Sequence, residues 1–183
     1  MVTPENIKKY WNEDYYKYWK KVTSKGGRKD VPKEDACFHY FEKMDLKNGD
    51  KVLEVGCGFG RLFPYFLDKK TEFYGIDISP EMIREAKKLF PEHTDRISIG
   101  DVENLNFSDN FFNKIFCWAI FDSVIHQDIV IKELGRVLSS GGLIIISGKH
   151  KPYFDHDENA KIAEEKAAEK GHPNIFTNFN NLK

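Results

Sequence analysis

The chain has 183 residues, 40% apolar and 31% charged, which suits one soluble globular domain with a single core. Its 28 basic and 29 acidic residues leave a formal charge of −1, which argues against a surface committed to nucleic acid or anionic lipid. Three cysteines, Cys37, Cys57 and Cys117, are too few and too scattered for a disulfide framework or a zinc site, so no metal is expected. Apolar runs such as 115–121 are far too short to span a membrane, and MVTPENIKKYW does not resemble a signal peptide. A cytoplasmic location is therefore expected, with no membrane or nucleic-acid partner.

In chain order, Ile7, Trp11, Tyr15, Tyr18 and Val22 fall at helical spacing, with Pro4 suited to a first turn. Residues 20–32 read as a loop, with Gly26-Gly27 and the cations Lys20, Lys21, Lys25, Arg28 and Lys29. Such a basic run attracts an anionic substrate or is merely solvated. A second amphipathic helix is predicted with Cys37, Tyr40, Phe41 and Met44 on one face, before a turn at Asn48-Gly49-Asp50.

From Lys51 the pattern changes. Apolar runs at 52–55, 72–76, 96–99, 114–120 and 142–147 alternate with helical stretches near 61–69, 80–89 and 122–138. Strands separated by helices predict an α/β fold with a doubly wound, mostly parallel sheet. Strands covered on both faces read as nearly continuous apolar runs, as these do. A polar helix near 157–170 and an irregular tail, HPNIFTNFNNLK, follow.

The most informative stretch is VLEVGCGFGR, 52–61, where Gly56, Gly58 and Gly60 lie between a strand and a helix. Glycines there allow a sharp turn and a close backbone approach to a ligand. A dinucleotide fingerprint needs glycine at the sixth position, which is Arg61 here, and no Walker-type Lys-Ser/Thr follows. Asp77 closes the second strand 21 residues after Gly56, where a carboxylate can accept from two ribose hydroxyls. Asp101 follows the third strand, 24 residues later, and could accept from an exocyclic amine. All three features fall at the carboxyl ends of adjacent strands, where open α/β sheets bind ligands.

With VLEVGCGFGR, GIDIS, IGDVENLNF and ELGRVLSSGGLIIIS in this order, residues 45–150 resemble the class I S-adenosylmethionine-dependent methyltransferases, in particular the small-molecule, type 11-like members. The turn before the fifth strand reads Leu138-Ser-Ser-Gly-Gly142 and lacks the family's usual Lys-Pro. The resemblance implies S-adenosyl-L-methionine as cofactor and S-adenosyl-L-homocysteine as product. It implies that Gly56, Gly58 and Gly60 cradle the methionine moiety in a loop ordered by Glu54. Asp77 would hold the ribose, Ile78 and Met82 would flank the adenine, and Asp101 with Val102 would read its amine. Trp118 would border the methyl-transfer centre, and Arg61 would approach the cofactor carboxylate or stand as a solvated helix residue.

Direct displacement at a sulfonium demands alignment and dry surroundings, and a general base only where the acceptor must lose a proton. His126 and Asp122 are the candidates for that role; a structural histidine and a helix cap are their other readings. The resemblance further implies that the N-terminal helices lie over the cofactor as a lid, where Trp11, Tyr15, Tyr16 and Trp19 would suit a flat or cationic small molecule; a packing stripe is their other reading. The expected organisation is one domain, with a helical lid at 1–45, a cofactor core at 46–150 and a helix with tail at 151–183. The family's sheet usually has seven strands, yet no alternating pattern follows 147, so five are expected. The fifth would then leave an apolar edge open to a homodimer, another subunit or the tail. Two alternatives to a small-molecule methyltransferase are a degenerate cofactor-binding module and an NAD-dependent oxidoreductase, the latter opposed by the glycine count.

Overall fold

The computed structural model describes residues 3–24, 36–149, 156–169, 171–172 and 175–177. Of the basic loop, Lys25, Arg28 and Lys29 lie outside the described residues, as does the tail beyond 177, whereas Lys20 and Lys21 are exposed.

Five strands form one parallel sheet: β1 (Lys51–Val55), β2 (Glu72–Asp77), β3 (Ile97–Ile99), β4 (Phe112–Cys117) and β5 (Leu138–Ile146), in the order β3-β2-β1-β4-β5. The order reverses between β1 and β4, the point at which such sheets open a crevice at their carboxyl ends. Side chains alternate across the sheet. Val52, Phe73 and Phe116 pack on one face with Phe41, Phe63 and Phe66. Leu53, Val55, Ile115 and Cys117 pack on the other with Leu134 and Val137. Each fully buried phenylalanine contributes about 1.5–3 kcal/mol by leaving water.

The helices are α1 (Pro4–Lys9), α2 (Tyr16–Ser24), α3 (Ala36–Glu42), α4 (Phe63–Asp68), α5 (Pro80–Leu89), α6 (Gln127–Val137) and α7 (Glu158–Glu169). None of the described helices is long and apolar enough to cross a membrane.

Several boundaries differ from the sequence expectation. Residues Tyr10–Tyr15 between α1 and α2 form a π-helix, whose wider turn advances the packed face by about one residue. Tyr18 therefore stands 63% exposed, and Trp19 packs on Phe59 instead, with ring centroids 4.5 Å apart. The side chain of Val22 lies outside the described residues. On α3, Phe38 takes the buried place expected of Tyr40, which is largely exposed. Strand β4 starts earlier than 114, at Phe112, and ends before 120, where Ala119 adopts φ +57° and gives its N–H to Ser147 Oγ at 2.6 Å rather than to the ladder. The expected helix at 122–138 begins only at Gln127; Phe121–Ser123 is a separate 3₁₀ turn. The tail's Phe176 forms a parallel bridge with Lys149, just beyond β5.

Candidate functional site

A cavity of about 400 Å³ opens at the carboxyl ends of β1, β2 and β4, between the glycine loop and the first helix. The glycine loop follows β1 directly, held by Cys57 N–H donating to the Ile76 carbonyl at 2.9 Å. Its three glycines all have positive φ but do different work. A Cβ on Gly58 would meet nothing within 4 Å, and this residue lines the cavity. A Cβ on Gly56 would lie 2.0 Å from Ile120 Cδ1, so Gly56 lets the loop after β4 close against the glycine loop. Gly60, expected in the cradle, does not line the cavity; it makes room for the ring of Phe63, whose Cδ2 would lie 2.4 Å from a Cβ at that position. Accordingly, Gly58→Ala is expected to cost about 1–2 kcal/mol of stability for its left-handed backbone and to obstruct ligand binding. Gly56→Ala should cost a further ~1–3 kcal/mol through overpacking against Ile120. Thermal melts with and without ligand separate the two.

Asp77, at the end of β2, accepts from Gly58 N–H at 2.9 Å and Ser79 N–H at 2.8 Å. A carboxylate offers about four lone-pair sites, so roughly two remain for a ligand in the cavity that Asp77 lines. Burial raises its carboxyl above the ordinary range, against the pull of those two donors. Glu54 on β1 is 7% exposed, and its Oε2 has no hydrogen-bond partner among the described residues. Burial pushes its carboxyl well up; Arg61 opposes this and Asp77 adds to it. Glu54 lines the cavity, and a buried, unpartnered carboxylate oxygen on such a residue calls for a cationic or donor-bearing partner. Burial also raises the Cys57 thiol well above its usual range, consistent with a packing role in the loop.

Asp101 lines the cavity beyond β3, with Oδ1 accepting from Glu103 N–H at 3.1 Å and Oδ2 3.8 Å from Lys8 Nζ of α1. Arg136 of α6 secures this loop from behind, donating to the carbonyls of Leu105 and Phe107, each at 2.8 Å. Ile78, Met82, Val102 and Arg61 also line the cavity. Trp118 does so too, its ring parallel to that of Phe116 within 4°.

From the first helix, Trp11 and Tyr15 line the cavity but Tyr16 and Trp19 do not. Tyr16 reaches Glu85 of α5 at 3.4 Å and Trp19 lies on Phe59, so these two fasten the helix rather than face a ligand. Burial raises the Tyr15 hydroxyl, opposed by Arg61.

Both candidate bases stand outside the cavity lining. His126 pairs through Nδ1 with Glu103 Oε2 at 2.9 Å, which raises its pKa, and it is largely exposed. Asp122 caps no helix; it is buried and paired with Lys149 Nζ at 2.9 Å. Lys8, Glu103 and Ser123 also line the cavity, at positions where no local motif announces them. No group of three or more potential metal ligands occurs among the described residues.

A profile described as "Methyltransferase domain" matches residues 53–146, half of the chain. The methyltransferase GfsG of Streptomyces halstedii is 34% identical over 116 residues, covering 58% of this chain and 40% of that protein. The ubiquinone/menaquinone biosynthesis C-methyltransferase UbiE of Neisseria meningitidis is 33% identical over 113 residues, covering 59% and 46%. The chain thus spans less than half the length of these relatives. In fold it is similar to phosphoethanolamine N-methyltransferase 2 of Haemonchus contortus in complex with S-adenosyl-L-methionine, with a TM-score of 0.73 at 16% identity, covering 100% of this chain and 43% of that one. The profile match begins within β1 and ends with β5, so it takes in every strand that bounds the cavity, and the chain belongs to the methyltransferase-domain family of class I S-adenosylmethionine-dependent methyltransferases.

Proposed function

We propose that this chain binds S-adenosylmethionine in the cavity and transfers its methyl group to a small-molecule acceptor, leaving S-adenosylhomocysteine. The observation that carries the reading is the unpartnered Glu54 Oε2 beside the half-engaged carboxylate of Asp77 and the open face of Gly58. That pair of acceptors fits a ligand with one ammonium and one diol to donate. When bound, the cofactor supplies an electrophilic methyl on a sulfonium, open to direct displacement.

The residues of the chain then bind, orient and exclude water. Glu54 would take the ammonium and Asp77 the ribose hydroxyls, while Asp101 and the Val102 backbone would take the adenine. Trp11 and Tyr15 cover the cavity from the lid side. Apolar residues Ile120, Val124 and Ile125, with Trp118, form the wall where an acceptor would align in a dry setting. With Asp122 in an ion pair and His126 at the rim, no general base is assigned. A small-molecule acceptor is supported by UbiE, which is named for ubiquinone/menaquinone biosynthesis, and by a concave, largely apolar site.

Isothermal titration of the folded chain with S-adenosylmethionine and S-adenosylhomocysteine tests the proposal. One-to-one binding of both is expected; a folded protein giving no heat with either removes it.

A further inference from the structure

The wall at 118–125 owes its shape to the chain behind it. Ala119 holds a left-handed backbone that L residues rarely adopt, and Ser147 Oγ accepts its N–H at 2.6 Å. The 3₁₀ turn at Phe121–Ser123 follows, and Ser123, Val124 and Ile125 return to line the cavity. Asp122, 5% exposed, is left out of that lining.

Lys149 Nζ lies 2.9 Å from Asp122 Oδ2 and 2.8 Å from Glu164 Oε2 on α7, which places one ammonium between two carboxylates. The backbone repeats the connection. The Asp122 carbonyl accepts from Ile175 N–H at 2.8 Å, and Thr177 N–H donates to the Lys149 carbonyl at 2.7 Å. Gln127 Nε2 donates to the Phe121 carbonyl at 2.8 Å and lies 3.4 Å from Thr177 Oγ1. The fit is close: a Cβ on Gly148 would lie 2.7 Å from Thr177 Oγ1.

We propose that Lys149 is a positioning residue. Through Asp122 it sets the cavity wall on the acceptor side, and through Glu164 it ties that wall to the docking of α7. The role rests on the proposed function, which makes 118–125 the acceptor side. Lys149 does not itself line the cavity and acts through the turn. Loss of its ammonium removes the cation paired with Asp122, a carboxylate 5% exposed in the turn behind the wall, and an uncompensated buried charge is costly enough to shift the turn that carries it. The ribose end of the cavity, on β2, is remote from this clasp.

The test compares the 183-residue chain with its Lys149→Met, Lys149→Arg and Glu164→Gln variants. Readouts are amide hydrogen exchange, the ¹⁹F resonance of 5-fluorotryptophan at position 118, and calorimetry with S-adenosylhomocysteine. Lys149→Met is expected to speed exchange at 119–125 by about tenfold or more and to shift the Trp118 resonance. Its S-adenosylhomocysteine affinity should stay within about twofold, as for distant sites. Lys149→Arg should restore both local signals. Unchanged exchange at 119–125, or acceleration spread equally over β1 and β2, would overturn the proposal. Should Lys149→Met not fold, Glu164→Gln decides: faster exchange at 119–125 supports the clasp, and unchanged exchange overturns it. Failure of the wild-type chain to bind S-adenosylhomocysteine would instead strike the proposed function, while exchange still judges the clasp.

Discussion

Asp77→Ala is expected to weaken S-adenosylhomocysteine binding by about 1–3 kcal/mol, roughly five- to 150-fold. The loss has two origins. The ligand's hydroxyls lose a charged acceptor, and the N–H groups of Gly58 and Ser79 lose the carboxylate that orients them at 2.9 and 2.8 Å. The second origin also destabilises the ligand-free chain, by about 1–3 kcal/mol for donors left unsatisfied. Asp77→Asn separates the two, since one amide oxygen can serve one of the backbone donors while its NH₂ repels the other. Titration calorimetry and thermal melts on both variants read the effects. An Asp77→Ala chain with unchanged affinity would show that the ribose binds elsewhere.

Glu54→Gln should move stability and binding in opposite directions. The ordinary carboxyl value of glutamate is 4.5, and burial raises that of Glu54 well above it in the folded chain. The folded state therefore binds the proton more tightly than the unfolded state does. The resulting stability is present in full below pH 4.5 and is lost as pH rises from there through the folded value. At neutral pH the glutamine variant, with no charge to desolvate, should melt at a higher temperature than the wild type. It should bind S-adenosylmethionine more weakly by about 1.5–3 kcal/mol, the usual worth of a hydrogen bond to a charged group. Melts across pH 4 to 8 and calorimetry check both signs. A variant no more stable than the wild type at pH 7 would show that Glu54 is not an uncompensated buried acid, and unchanged affinity would release it from the ammonium site.

The first helix shows why part of the site was hidden. Spacing alone places Ile7, Trp11, Tyr15 and Tyr18 in one stripe, and regular periodicity cannot announce a π-helical segment. The hydrogen bonds of Tyr10–Tyr15 shift the register, so that Trp11 and Tyr15 line the cavity while Trp19 replaces Tyr18 against the glycine loop. Asp122 shows the same limit in another form. Its neighbours in sequence suggest a helix start, but its partner is Lys149, 27 positions later and adjacent only because β4 and β5 pair.

Local chemistry made the parallel α/β sheet, the glycine loop and the two acids, one at the end of β2 and one beyond β3, legible from the residues alone. Apolar runs identify strands buried on both faces, and alternating glycines at a strand end allow few other geometries. The family follows from those same residues, since its motifs are contiguous in the chain. Only the folded chain separates the three glycines: Gly58 lines the cavity with open space beside it, Gly56 lines it while admitting Ile120, and Gly60 leaves the lining to admit Phe63. Only it leaves Glu54 Oε2 without a hydrogen-bond partner among the described residues and keeps Asp122 and His126 out of the cavity lining. Those outcomes depend on groups brought together from distant positions, where burial and long-range pairing, rather than local pattern, set what each side chain can do.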